Sequence, residues 1–157
     1  MAIYTLAGTK VSIGTSAAVD FTGTETEIVT DFEADTYKVI AETETLSDFG
    51  DEATDVPFTS LGDSRTRHGK GTTDGGVVTI TCADMPSDLG QIAVKAASGA
   101  TNQAEYNVKF EWQNGSVSYI RGAVMGWKRV NGTGPNNVAK RQFVVSNSYG
   151  EFIKLAP

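Results

Sequence analysis

A strict alternation of apolar and polar residues marks the clearest element. Ala104, Tyr106, Val108, Phe110 and Trp112 point one way; Glu105, Asn107, Lys109, Glu111 and Gln113 point the other. Period two over this length predicts a strand at 104–113 with one buried face. Asn114-Gly115 follows, a strong two-residue hairpin signal because a type I′ turn needs positive φ twice. The partner strand is expected at 116–128. A further strand is expected at 138–147, after the Gly/Pro/Asn loop 131–137. These last strands carry apolar residues on both faces, which calls for cover from a helix or from a neighbouring copy.

Earlier in the chain, Val77–Ala83 alternates as a strand. Leu89, Ile92, Ala93 and Ala96 then recur at helical spacing behind Asp84 and Pro86, predicting one amphipathic helix over 86–98. Tyr37, Val39 and Ala41 alternate within an expected strand at 36–45, and 64–70 reads as a strand with basic residues at alternate positions. Residues 2–13 hold short apolar pieces, either one or two strands or an N-terminal arm over 1–8. Residues 14–34 read as a loop with a short strand at Glu27–Thr30. Residues 46–63 read as an 18-residue loop broken by Gly50, Pro57 and Gly62, longer than a compact domain usually carries without a reason. Phe49 and Phe58 in that polar stretch point to docking, on the domain itself or on a partner. The sum is a mainly β fold: an antiparallel β-sandwich or partly closed barrel with one flanking α-helix, in a single domain spanning 1–157.

Composition sharpens this picture through charge. The 157 residues are 39% hydrophobic and 20% charged, as in globular chains, with a net charge of −6. Residues 1–63 hold 13 acids against 2 lysines, a net of −11; residues 64–157 hold 6 acids against 11 Lys/Arg, a net of +5. Bulk charge therefore disfavours gripping nucleic acid or an anionic membrane. The split is what head-to-tail self-association would use, an acidic surface of one copy meeting a basic surface of the next. Two differently solvated faces would give the same count. The first six residues lack a basic region and a long apolar core, so no signal peptide is expected. No apolar run approaches a membrane span, so no membrane binding is expected.

Candidate chemistry is sparse. His68 is the only histidine and Cys82 the only cysteine, which excludes an internal disulfide and the usual zinc sites. No Gly-x-Ser-x-Gly elbow supports a triad. Gly69-Lys70-Gly71 departs from a phosphate loop, because Gly follows the Lys. Asp48-Phe49-Gly50-Asp51-Glu52 lacks calcium-loop spacing. The sequons at Asn114 and Asn131 read as turns, and the aromatic stripe of 104–113 reads as core. The expectation is no enzyme and no cofactor.

Four stretches, taken in order, resemble the tail tube protein (major tail protein) of long-tailed bacteriophages of the lambda type. They are Ala41–Glu52, Val78–Gln91, Tyr106–Gly115 and Ile120–Trp127, with Asn-Gly followed by the Arg121-Gly122 strand the most telling. The resemblance covers roughly residues 36–147. It implies a structural virion protein whose hexameric rings stack into a tube conducting the viral genome, assembled in the host cytoplasm. Its partners would be further copies of itself, a tape-measure protein, and terminator and tip proteins. It implies a fold shared with contractile-tail and type VI secretion tubes. It places loop 46–63 at ring contacts and lets the N-terminal arm and C-terminal tail reach neighbours. On that reading Leu46, Asp48, Phe49, Asp51, Glu52, Asp55 and Phe58 form the stacking surface. Arg65, Arg67, Lys128, Arg129, Lys140 and Arg141 form the complementary basic surface. Glu42 and Glu44 are the lumen candidates. Six copies giving four strands each would close a barrel with a bore roughly 40 Å wide. A duplex about 20 Å across would fit, and an acidic lining would let it slide. Two other readings are another tail or secretion-tube component such as a terminator, and a small β-sandwich ligand-binding module using Tyr119 and Trp127.

Overall fold

From the N-terminus, the computed structural model, which describes residues 3–157, runs β1 (Lys10–Ile13), α1 (Glu25–Glu33), β2 (Lys38–Val39), β3 (Thr43–Leu46), β4 (Glu52–Thr59) and β5 (Thr66–Asp74). It continues through β6 (Val77–Ala83), α2 (Leu89–Ala97), β7 (Glu105–Glu111), β8 (Val117–Val130), β9 (Lys140–Ser146) and β10 (Phe152–Lys154). Every strand pairing is antiparallel. The main sheet has the order β2-β1-β7-β8-β9-β6-β3, with β10 paired to β8, and β4 and β5 form a separate two-stranded ribbon.

The predicted hairpin is present, but its turn is not type I′: Gly115 has φ +88° while Asn114 keeps a negative φ, and Gly115 N–H donates to the Trp112 carbonyl across a turn centred on Gln113 and Asn114. β8 is long enough to serve two layers. Val117–Ala123 pairs with β7, and Val124–Val130 pairs with β9. The change of partner falls between Ala123 and Val124, and a bulge between Met125 and Lys128, with Gly126 at φ +79°, bends the strand just beyond it. Val11, Ile13, Val108, Phe110 and Ile120 of one layer meet Val78, Ile80, Phe143 and Val145 of the other in a buried core that α2 completes with Val94 and Ala97. The sheet is not closed. Its edge strands β2 and β3 are joined through Ile40–Glu42 rather than by a ladder, and α2 lies beside this link. Gly90 sits against the Val39–Ile40 backbone, where a Cβ would not fit. The buried Gln91 side chain donates to the Ala41 and Ala83 carbonyls.

Several expectations need correction. The stretch 14–34 contains a helix where a loop and a short strand at Glu27–Thr30 were expected, so the fold has two helices, not one. Thr24 and Glu27 form a capping box, and α1 buries Ile28, Val29 and Phe32. This helix supplies the cover that the two-faced β7–β8 pair calls for. Phe32 packs on Tyr119 at 5.2 Å, with Tyr37, Val117 and Phe152 around them. The strand expected at 36–45 is two short strands, broken where Glu42 adopts a left-handed φ of +56°. The expected loop 46–63 contains the eight-residue strand β4. The helix expected at 86–98 is Leu89–Ala97 and buries Gly90, Gln91, Val94 and Ala97, leaving Leu89, Ile92 and Ala96 outward. β10 had no counterpart among the expected elements. Of the N-terminal arm, residues 1–2 lie outside the described residues; residues 3–8 are exposed and form no strand, though Thr5 N–H donates to Gln113 Oε1.

A polar lock fastens the 14–18 segment to the sheet. Buried Asn107 donates to Asp35 Oδ2 and to the Ala17 carbonyl, and Arg121 donates to Asn107 Oδ1 and the Ala17 carbonyl. Burial alone would raise the Asp35 carboxyl, but hydrogen bonds from Thr15, Asn107 and Thr36 outweigh it and hold its pKa below the ordinary value. A group depressed in the folded state contributes stability above its unfolded pKa and loses it as pH falls through its folded pKa. Stability is therefore expected to fall as the pH is lowered through and below the ordinary aspartate range. The fall should be shallower in Asp35→Asn, measured by urea unfolding across that range. Parallel curves would contradict the assignment.

Candidate functional site

The β4–β5 ribbon is the most unusual part of the surface. All of β5 is exposed, and all of β4 except Ala53. With eight residues in β4 it extends about 26 Å. The register Val56↔Gly69, Pro57↔His68 and Phe58↔Arg67 sorts its side chains onto two faces. Val56 and Phe58 share one face with Arg67, Gly69 and Gly71. Asp55, Pro57, His68 and Lys70 share the other. At Gly71 the strands approach closely: a Cβ there would lie 2.9 Å from Val56 Cγ2 and 3.1 Å from the Thr54 carbonyl. Pro57 is tolerated because a two-stranded ribbon consists only of edges.

At the root of the ribbon lies an acidic cleft of about 800 Å³. Its walls carry Asp48, Asp51, Glu52, Asp55 and Asp74. The structure thus brings together the acids singled out in the sequence. It divides the two phenylalanines: Phe58 is exposed on the ribbon, whereas Phe49 stacks on Phe110 at 4.9 Å and on Trp112 at 6.3 Å. Leu46 packs with Phe49 against the core. Sequence reasoning did not single out Val56 or Asp74; for Val56 the Thr54-Val56-Phe58 alternation was the available signal.

The basic candidates fall into two groups. Arg65 and Arg67 belong to the ribbon, where Arg67 pairs with Asp63 at 2.9 Å. Lys128, Arg129, Lys140 and Arg141 gather where Arg129↔Arg141 and Ala83↔Lys140 are paired. The ribbon root adjoins the opposite end of the same sheet, at Val77↔Ser146. Seven residues of β6 separate these ends by about 20 Å, so the acids of the cleft and this second basic group stand at opposite poles. Lys140 is paired with Glu44 at 2.7 Å, and Arg129 with Asp84 at 3.0 Å. Arg65 and Lys128 make no ion pair among the described residues. Of the lumen candidates, Glu44 is therefore neutralised by Lys140, while Glu42 is exposed at the left-handed link.

His68 pairs with exposed Asp55 at 2.9 Å on the ribbon. Cys82 is buried in the core, and burial, reinforced by Asp84 and Asp88, pushes its thiol pKa up to about 11. A thiol reagent is expected to leave Cys82 unlabelled in the native protein and to label it once in denaturant; rapid native labelling would contradict this. Among the described residues, no cluster of three potential metal ligands occurs, and no helix is long and apolar enough to cross a membrane. The sequence matches no protein-family model and no curated protein.

Proposed function

We propose that this chain is a structural subunit that associates head to tail into rings, and that the rings stack into a tube of the phage tail tube kind, a conduit for the viral genome. The observation that carries this reading is the β4–β5 ribbon. A two-stranded hairpin is marginally stable in water by itself. This one exposes both faces along nearly its whole length, with Phe58 67% exposed and Val56 50% exposed. Such a segment gains its stability from a surface outside its own body, and a second copy of the same chain is the partner its charge favours. The acidic cleft of one subunit and the basic group of another are opposite in sign and stand at opposite ends of one sheet. That is the arrangement a heterologous, repeating contact requires. An excess of acid in the whole chain suits a channel through which DNA slides without being trapped, with Glu42 the lining candidate left uncompensated.

Negative-stain microscopy of the purified protein tests the reading. Stacked rings or long tubes with a central channel are expected, and their assembly should weaken as salt rises. A monomer that stays monomeric at all concentrations and salts would overturn it.

A further inference from the structure

A second concave site lies at the basic pole, between α2 and the C-terminal half of β8. It is a groove of about 250 Å³ whose walls include Asp84, Ile92, Lys95, Trp127, Arg129 and Arg141. Three cations there face a single carboxylate. Asp84 Oδ2 accepts from Arg129 Nη1 at 3.0 Å. Arg141 lies over the Trp127 ring, with its guanidinium carbon 5.6 Å from the centroid. Its Nε is buried without a hydrogen-bond partner, 3.6 Å from Asp84 Oδ1. Lys95 makes no ion pair among the described residues. Three cations against one carboxylate leave the groove two negative charges short, with Lys95 unpaired at its wall.

The rim of the groove is apolar. α2 turns Leu89 and Ile92 outward, 66% and 49% exposed, while its buried face is taken up by Gly90, Gln91, Val94 and Ala97. The occupant should therefore carry carboxylates on a segment that also covers apolar surface.

We propose that this groove receives the acidic cleft segment, Asp51-Glu52-Ala53, of a second copy. Carboxylates from that segment would approach Lys95, Arg129 and the free edge of Arg141, while its backbone would cover Ile92 and Leu89. The inference rests on the head-to-tail reading and assigns its receiving surface. Charge and position select this occupant: the segment lies in the five-carboxylate cleft, at the pole opposite the groove. A contact between opposite poles is heterologous and repeats from copy to copy, as ring formation or ring stacking requires.

The test uses two single-cysteine additions in separate full-length chains, Ala53→Cys and Ile92→Cys. Neither removes a charge, and native Cys82 is buried. A short bis-maleimide reagent applied to the mixture should yield cross-linked pairs containing one chain of each kind. Lys95→Glu in the Ile92→Cys chain should suppress them and raise the concentration needed for assembly at least about tenfold. Assembly that proceeds with no mixed cross-link, or that is indifferent to Lys95→Glu, would overturn the groove as receptor while leaving head-to-tail assembly standing. Absence of any self-association in the unmodified protein would overturn both.

Discussion

Replacing Gly122 by alanine is expected to cost about 3 kcal/mol or more and to lower the melting temperature by about 10 °C. Gly122 pairs with Tyr106 on β7, just before β8 changes partners from β7 to β9. A Cβ there would fall well inside van der Waals contact with the Ser146 carbonyl oxygen and 2.9 Å from Ser146 Oγ. The Ser146 backbone cannot give way cheaply. It is held on its far side by the pairing with Val77, and its hydroxyl accepts from Ala123 N–H. The collision is between two ladder-bonded backbones, so relief requires breaking one ladder. Gly134→Ala is the control. Its Cβ would meet only Asn137 Nδ2 at 3.9 Å, an ordinary contact, and its melting temperature should match the parent. Thermal unfolding by circular dichroism measures both, and a Gly122→Ala protein as stable as Gly134→Ala would refute the packing account.

Reversing two charges in the acidic cleft is expected to abolish self-association without unfolding the subunit. Asp51→Lys with Glu52→Lys turns two of the five carboxylates of the cleft into cations. Both side chains are exposed and neither forms an ion pair among the described residues, so the fold gives up little by the change. At an interface the same change sets like charge against like, which costs several kcal/mol for a contact that must repeat many times. The double variant should sediment as a folded monomer with the parental far-ultraviolet spectrum under conditions where the parent polymerises. Normal tubes from this variant would remove the acidic cleft from the assembly contact.

The parts of the fold legible in the sequence are those whose side chains face a core on one side. β6 occupies Val77–Ala83 as its alternation predicts, and β7 and β8 follow theirs to within a few residues. The ribbon strand β4 escaped because it has no buried face. Without a core to face, its residues carry no strong apolar alternation, and Gly50, Pro57 and Gly62 then read as breaks in a loop. α1 escaped because four threonines between Thr22 and Thr30 favour turns and strands by propensity. The capping box at Thr24 and Glu27 and the apolar set Ile28, Val29 and Phe32 outweigh that preference. α2 was found, but its facing was not. Periodicity alone directs Leu89 and Ile92 inward, whereas the close approach of Gly90 to Val39 and the three-way bonding of Gln91 turn the helix by about one residue. Of the candidate surface, the clustering of acids was legible from charge counts. The placing of the cleft acids and the Lys128, Arg129, Lys140 and Arg141 group at opposite poles was not, because it depends on strand order and register.

β8 belongs to both layers, and this has a mechanical consequence. Tension entering at the ribbon root passes into β6, across its seven-residue pairing with β9, and from β9 into β8. It then continues along the same covalent strand into the β7 and β1 pairings, crossing no flexible loop on the way. Strands pulled along their length load their hydrogen bonds in shear, many at once, rather than peeling them one by one. The two layers therefore cannot slide apart unless β8 itself straightens at Gly126 or its ladders fail together.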